Sequence, residues 1–358
     1  LAVKKWVLGT LVVVAAAGVG GWFSLDKETR GLLATVPTNR DILFWTQSQR
    51  DAAFRALDRL PVLAKVNVVP ASASPSPLPL GAPLQLKLDV DAIAGQRSAA
   101  LLVVPQCKLR LDRHRLGFDG AGRRTSFSVA KSFTSTLLGA AVMDGFIQSL
   151  DDKVSVYIPE LKGSAYDDVS VRQLLTMTSG VQWNEDYADP NSDVAKFNNH
   201  QPEPGVEALV SYMRQLPRAA PPEPLALQHG ETNLVARWCS ALPRSRWPPT
   251  LPRRCGARRH GATGHLDFEQ NRQGNWRLLP AGLTRDYARM GLFILNGAKV
   301  NGQSIVPDDW WAQATTKRAT MVCRGEGMAI SGGPMTTAAM RPAAFLGKAF
   351  LSTPIVNW

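Results

Sequence analysis

Hydrophobic and polar positions are grouped along this chain in several distinct ways, and each grouping predicts a different element. Lys4 and Lys5 precede an uncharged run from Trp6 to Leu25 that is rich in Val, Ala and Gly. A run of that length without a polar face predicts a membrane-crossing helix or a secretory leader, with the two lysines cytoplasmic and the rest exported. An uncleaved anchor over 1–25 is expected ahead of cleavage after Ala15-Ala16-Ala17, which leaves a short hydrophobic region. A buried core helix is the bland alternative, and the missing polar face argues against it. Asp41 to Leu60 reads as a short amphipathic segment, and Pro70 to Pro83 is Pro/Ser-rich and reads as a linker, so 26–83 joins the anchor to a domain over 84–358.

From Leu84 the pattern turns to strands. Leu84–Val90 is followed by Ala99–Val104 and Lys108–Leu111 around a Pro105-Gln106 turn, a predicted hairpin. The run from Thr125 to Leu150 then predicts a strongly apolar helix, with Phe133, Leu137, Leu138 and Val142 on its buried face and no acid before Asp144. Further on, Ser170-Val171-Arg172-Gln173 reads as a capping box, Leu174-Leu175 as a buried pair, and Gly180 as the helix stop.

Composition changes this picture little. The 358 residues are long enough for a real core, and 45% apolar with 20% charged residues excludes a disordered or collagen-like chain. The net charge of +12 suggests a nucleic-acid partner only until its placement is read: seven arginines and no acid lie between Ala236 and Leu266, and without them the charge is +5. That stretch has no amphipathic period, so no nucleic-acid partner is expected. Cys107, Cys239, Cys255 and Cys323 form no C-x-x-C pair, and with His260 and His265 they lack metal-ligand spacing, so no metal and no cofactor is expected.

Candidate chemistry lies at the start of the apolar helix, where Ser128-Val129-Ala130-Lys131 forms an S-x-x-K tetrad. Positions three apart share a helix face, so hydroxyl and amine are presented together. Burial and the positive end of a helix keep an amine neutral, and free first-turn N–H groups stabilise a developing oxyanion. That combination is what an activated serine nucleophile requires. An isolated S-x-x-K also occurs on ordinary helices as a solvated lysine near a capping serine. The uncharged stretch behind Lys131 places this lysine beside a buried face instead.

Longer motifs sharpen the reading. SFSVAKS, SLDDKVSVYIPELKG, VSVRQLLTMTSGVQWNEDY, GETNL and LTRDYARMGLFILNG occur in this order. From about Leu84 to Asp309 they resemble the serine hydrolases related to class C β-lactamases and penicillin-binding D-peptidases, most of all the branch of 6-aminohexanoate-dimer (nylon-oligomer) hydrolase and its esterase relatives. The resemblance implies an α+β fold, an antiparallel sheet flanked by helices with a helical subdomain. It also implies an acyl-enzyme on Ser128 with Lys131 as base, a relay tyrosine, and a small amide or ester as substrate. Tyr187 matches a substrate-binding tyrosine of that branch; as residues alone it reads equally well as a half-buried aromatic.

Two departures stand against these matches. The relay tyrosine is expected just before Gly230-Glu231-Thr232-Asn233, but the chain reads Leu227-Gln228-His229 there. Read one base later with permitted codons, Glu223 to His229 becomes Ser-Arg-Trp-Arg-Tyr-Ser-Thr, which restores it. Arg237 to Gly256, read two bases later, becomes a charge-balanced amphipathic helix, and Met328 to Trp358 gains the glycine-bracketed strand motif G-I-F-G-Q-G of the oxyanion side. The text over 223–229, 237–265 and 328–358 is therefore read as frameshifted. As written, the chain is expected either to be a poorly active hydrolase or to persist as a catalytically dead relic or ligand-binding pseudo-enzyme. His229 in the tyrosine's place has nothing to position it as a proton carrier.

Overall fold

In the computed structural model, the residues described are 2–25, 30–31, 33–34, 46–55, 67–69, 75–84, 98–126, 129–184, 186, 189–219, 231, 234, 264–268, 278–300 and 302–315. Helix α1, Ala2–Ser24, forms where the apolar run predicts a helix. Among the described residues, however, no helix is long and apolar enough to cross a membrane, so the anchor finds no support in the structure. The amphipathic segment yields a shorter helix α2, Gln47–Ala53, opened by a Thr46–Gln49 capping box. Its Ala52 and Ala53, with Phe54, are buried, and Arg55 Nη1 donates to the Gly117 carbonyl at 2.9 Å, which docks this segment on the domain.

Three small antiparallel sheets follow. Strands β1 (Asn67–Val69), β4 (Arg124–Thr125), β5 (Gly264–Phe268) and β6 (Leu278–Gly282) make one of them, in the order β1-β5-β6-β4. The predicted hairpin is the second, β2 (Ala100–Val103) against β3 (Leu111–His114), with Ala100 opposite His114 and Val103 opposite Leu111. Its return strand starts later than the expected Lys108, because Pro105–Cys107 forms a 3-10 turn in which Gln106 and Cys107 adopt positive φ. Strands β7 (Lys299–Val300) and β8 (Gln303–Ser304) make the third. Of the other expected strand, Leu84–Val90, all but Leu84 lies outside the described residues.

The Pro-rich segment is not a free tether where it is described. Leu109 N donates to the Pro79 carbonyl at 2.8 Å, and Gly81 N and Leu84 N donate to the Leu109 and Arg110 carbonyls. Arg110 Nε reaches the Ala82 carbonyl, and Arg289 Nε the Ser76 carbonyl, each at 2.8 Å. Residues 75–84 are thus a strap laid along the hairpin.

Helices supply the core. The expected apolar helix is α3, Ala130–Met143, closed at Asp144. Short α4, Val154–Tyr157, and α5, Val171–Thr176, follow, and then α6, Asp193–Asn199, and α7, Ala208–Met213. Later come α8, Thr284–Leu295, and α9, Trp310–Thr315. Phe133 and Leu138 of α3, Leu174 of α5, Leu209 and Met213 of α7, Met290 and Phe293 of α8 and Trp310 of α9 share one hydrophobic cluster. The polar side chains on α3's buried side are satisfied along the helix, Thr136 Oγ1 donating to the Ser132 carbonyl at 2.7 Å and Thr134 Oγ1 to that of Ala130 at 3.2 Å.

Helix α5 has the predicted capping box, Gln173 N donating to Ser170 Oγ at 3.1 Å and Ser170 N to Gln173 Oε1 at 2.8 Å. It stops earlier than Gly180: Met177 takes left-handed geometry at φ 57°, and its N–H bonds back to the Gln173 and Leu174 carbonyls. Gly180, also at positive φ, serves the next turn instead.

Two contacts test this packing. Gly139 lets α3 approach α9 so closely that an added Cβ meets Trp310 Cε2 at 2.7 Å and Val306 Cγ1 at 2.9 Å. Gly139→Ala is expected to cost about 1–3 kcal/mol despite alanine's better helix propensity, read as a lowered midpoint in thermal or urea unfolding. On α8, Asp286 is 1% and Arg289 12% exposed, joined at 2.6 Å. Arg289→Ala removes a cation bound to a buried carboxylate and is expected to cost about 3–5 kcal/mol by urea unfolding, more than the i,i+3 surface pair it resembles in sequence.

Candidate active site

Strand β4 runs into the first turn of α3 with only a few residues between them. Arg124 and Thr125 pair with Gly282 and Ala281 of β6, and Val129 N donates to the Ser126 carbonyl at 3.0 Å just before the helix begins. Tyr287 of α8 braces the junction from the other side: its hydroxyl donates to the Arg124 carbonyl at 2.7 Å, and its ring meets Phe133 edge-on at 6.2 Å. Burial pulls the Arg124 guanidinium below its ordinary range, partly offset by Tyr287 and Asp51.

Lys131 stands in the first turn of α3, half-buried, in contact with its surroundings and not a free surface amine. Among the described residues no side chain caps this helix at Val129. Ser128 lies outside the described residues, as does Tyr187, so the structure places Lys131 alone of the three expected site residues.

The segment that carries Tyr187 is pinned at both ends. Asn184 N donates to Asp193 Oδ2 at 2.5 Å, and Asp193 N returns a bond to the Asn184 carbonyl at 3.0 Å. The other oxygen of Asp193 accepts from the Tyr212 hydroxyl at 2.7 Å. Tyr212 in turn is held edge-on by Trp183, Phe197 and His200, with ring centroids 6.2, 5.7 and 5.2 Å away. Trp183, which the sequence leaves without a role, is therefore part of an aromatic cluster around Tyr212.

Sequence reasoning missed a buried polar cluster between two of the quoted motifs. Ser179, of T-S-G, donates its hydroxyl proton to Glu231 Oε1, of G-E-T-N-L, and both are fully buried, as is Tyr166 beside them. Burial raises the Glu231 carboxyl to about 8 against the lowering effect of Ser179, and raises the Tyr166 phenol, helped by the nearness of Glu231. Nothing in either motif signals this burial, since Ser179 follows Thr178 and Glu231 precedes Thr232 and Asn233.

The expected stretches 223–229 and 328–358 lie outside the described residues, and so does 237–265 apart from the start of β5. Among the described residues there is no group of three His, Cys, Asp or Glu side chains able to hold a metal ion, and Cys107 is an exposed free thiol.

Comparison with known proteins agrees with the order of elements. The Beta-lactamase family model matches residues 94–224. The 6-aminohexanoate-dimer hydrolase of Paenarthrobacter ureafaciens is 40% identical over 95 residues, which is 26% of this chain and 24% of that protein. A Beta-lactamase of Providencia stuartii is 50% identical over 54 residues, 15% of this chain and 14% of its own. The matched segments thus span a quarter or less of these curated relatives. Among solved structures, the "Putative 6-aminohexanoate-dimer hydrolase from Bacillus anthracis" covers 79% of this chain and 77% of its own at a TM-score of 0.61 and 16% identity, a likeness of fold. Residues 94–224 are thus similar in sequence to the Beta-lactamase family, and the fold resembles that of a putative 6-aminohexanoate-dimer hydrolase.

Proposed function

We propose that the protein cleaves small amides or esters through an acyl-enzyme on Ser128, with Lys131 as the base. The observation that carries this reading is the position of Lys131, half-buried in the uncapped first turn of a helix whose other side is core, three residues after Ser128. In the proposed cycle the Lys131 amine takes the Ser128 hydroxyl proton as the oxygen attacks the substrate carbonyl. The N–H groups at the head of α3 support charge that develops at the helix end. Collapse of the tetrahedral intermediate expels the leaving amine or alcohol, which takes up the proton. Water then repeats the sequence on the ester and frees Ser128.

Tyr187 belongs to the same proposal as a substrate-binding residue, on a segment whose ends are fixed by Asn184, Asp193 and the Tyr212 cluster. Export from the cytoplasm is proposed on the sequence alone, from Lys4-Lys5 and the uncharged run behind them. A second reading, a ligand-binding relic without turnover, is favoured by one observation: Leu227-Gln228-His229 occupies the place where the resemblance puts a relay tyrosine. The frameshift reading links the two, since restoring the shifted text supplies that tyrosine.

Labelling with a fluorophosphonate probe tests the nucleophile directly. The protein is expected to label, Ser128→Ala to lose the label completely, and Lys131→Met to slow labelling by about 100-fold or more, the order of a lost general base. Label that survives Ser128→Ala rejects the assignment, and ligand binding with no labelling selects the relic. Resequencing the coding DNA is expected to reveal insertions or deletions flanking 223–229, 237–265 and 328–358; uninterrupted codons across all three reject the mosaic.

A further inference from the structure

Glu231 is the buried ionisable group for which the proposed chemistry has no use. Its side chain and that of Ser179 are 0% exposed, and Ser179 joins them by donating to Oε1. Leu234, three residues later, is equally buried within the hydrophobic cluster, so a polar and an apolar anchor lie close together in this stretch. On the other side, Ser179 shapes its own turn. Its Oγ accepts from Val181 N at 3.0 Å, and its carbonyl accepts from Arg218 Nη1 at 3.0 Å. Gly180 O and Gln182 N bond to Ala219 N and the Pro217 carbonyl at 2.9 and 2.8 Å. The chain then passes directly to Trp183.

The charges around this cluster are accounted for elsewhere. Arg218 binds Asp168 and the Ala165 carbonyl, and Asp193 serves Asn184 and Tyr212. Both act on Tyr166, which faces Glu231. Among the described residues no cation pairs with Glu231, and the hydroxyl and backbone N–H of Ser179 lower its carboxyl by less than burial raises it.

We propose that Glu231 works as a neutral carboxylic acid and is a positioning residue: through Ser179 it fastens the stretch leading to Leu234 onto the Thr178–Gly180 turn, and ionisation releases that turn. Burial holds the carboxyl near 8 in the folded chain against an ordinary value of 4.5. The sign follows. The native state keeps a proton that the unfolded chain gives up between those values, so the contribution is full below the lower one and is lost as pH rises through the higher one.

Unfolding midpoints measured from pH 5 to 9.5 on the full chain test this. Relative to Glu231→Gln, whose amide oxygen still accepts from Ser179 and cannot ionise, the wild type is expected to lose several degrees across that range. Glu231→Ala is expected to be the less stable variant at pH 6, with Glu231→Gln close to wild type there. A wild-type slope in Glu231→Gln overturns the proposal, and so does a Glu231→Gln protein as unstable at pH 6 as Glu231→Ala.

A second readout rests on the hydrolase reading. Fluorophosphonate labelling is expected to fall off above about pH 8 in the wild type and to extend to higher pH in Glu231→Gln, a shift that a purely structural role does not produce. Identical labelling profiles overturn the positioning role. Absence of label in both proteins counts against the hydrolase reading, while the stability profiles still decide on Glu231.

Discussion

Burial of helix α3 is the constraint on which the rest of the structure depends. Its apolar side carries Phe133 and Leu138 into the shared cluster, and Gly139 admits α9 to within van der Waals distance of the helix itself. A helix fixed this firmly along its length also fixes its first turn, and Lys131 stands there. Strand β4 and Tyr287 hold the approach to that turn from the sheet and from α8. Lys131 therefore stands on a regular element braced from two sides.

Much of this frame was legible in the residues. The apolar helix, the β2-β3 hairpin and the Ser170–Gln173 capping box all follow from local pattern. Local pattern misjudged ends. Glycine is the usual helix stop, yet Met177 assumes the left-handed position ahead of Gly180, and Gln106 and Cys107 delay the second hairpin strand by adopting positive φ where no glycine advertises it. The Ser179–Glu231 bond was not legible because it joins residues 52 apart, and nothing in either motif names its partner. Of the site itself, sequence supplied the spacing of Ser128 and Lys131, while the structure supplied the burial and bracing around Lys131.

The family match and the departures from the family pattern lie close together along the chain. The Beta-lactamase match ends at residue 224, close to where the expected tyrosine goes missing. Beyond it, Met290 and Phe293 of α8, and Ile305 and Val306 just after β8, belong to the same cluster.

The strap at 75–84 shows how composition and role part company. Proline removes N–H groups and leaves carbonyls, so such a segment is a poor strand yet a good strip of acceptors. Here Ser76, Pro79 and Ala82 offer oxygens to two arginines and one backbone amide, while Gly81 and Leu84, set between and after the prolines, return the two N–H bonds. Fastening of this kind reads backbone and ignores side chains. Evolution can rewrite most of the strap's letters freely, provided that an oxygen stays opposite each guanidinium and proline stays away from the two donating positions.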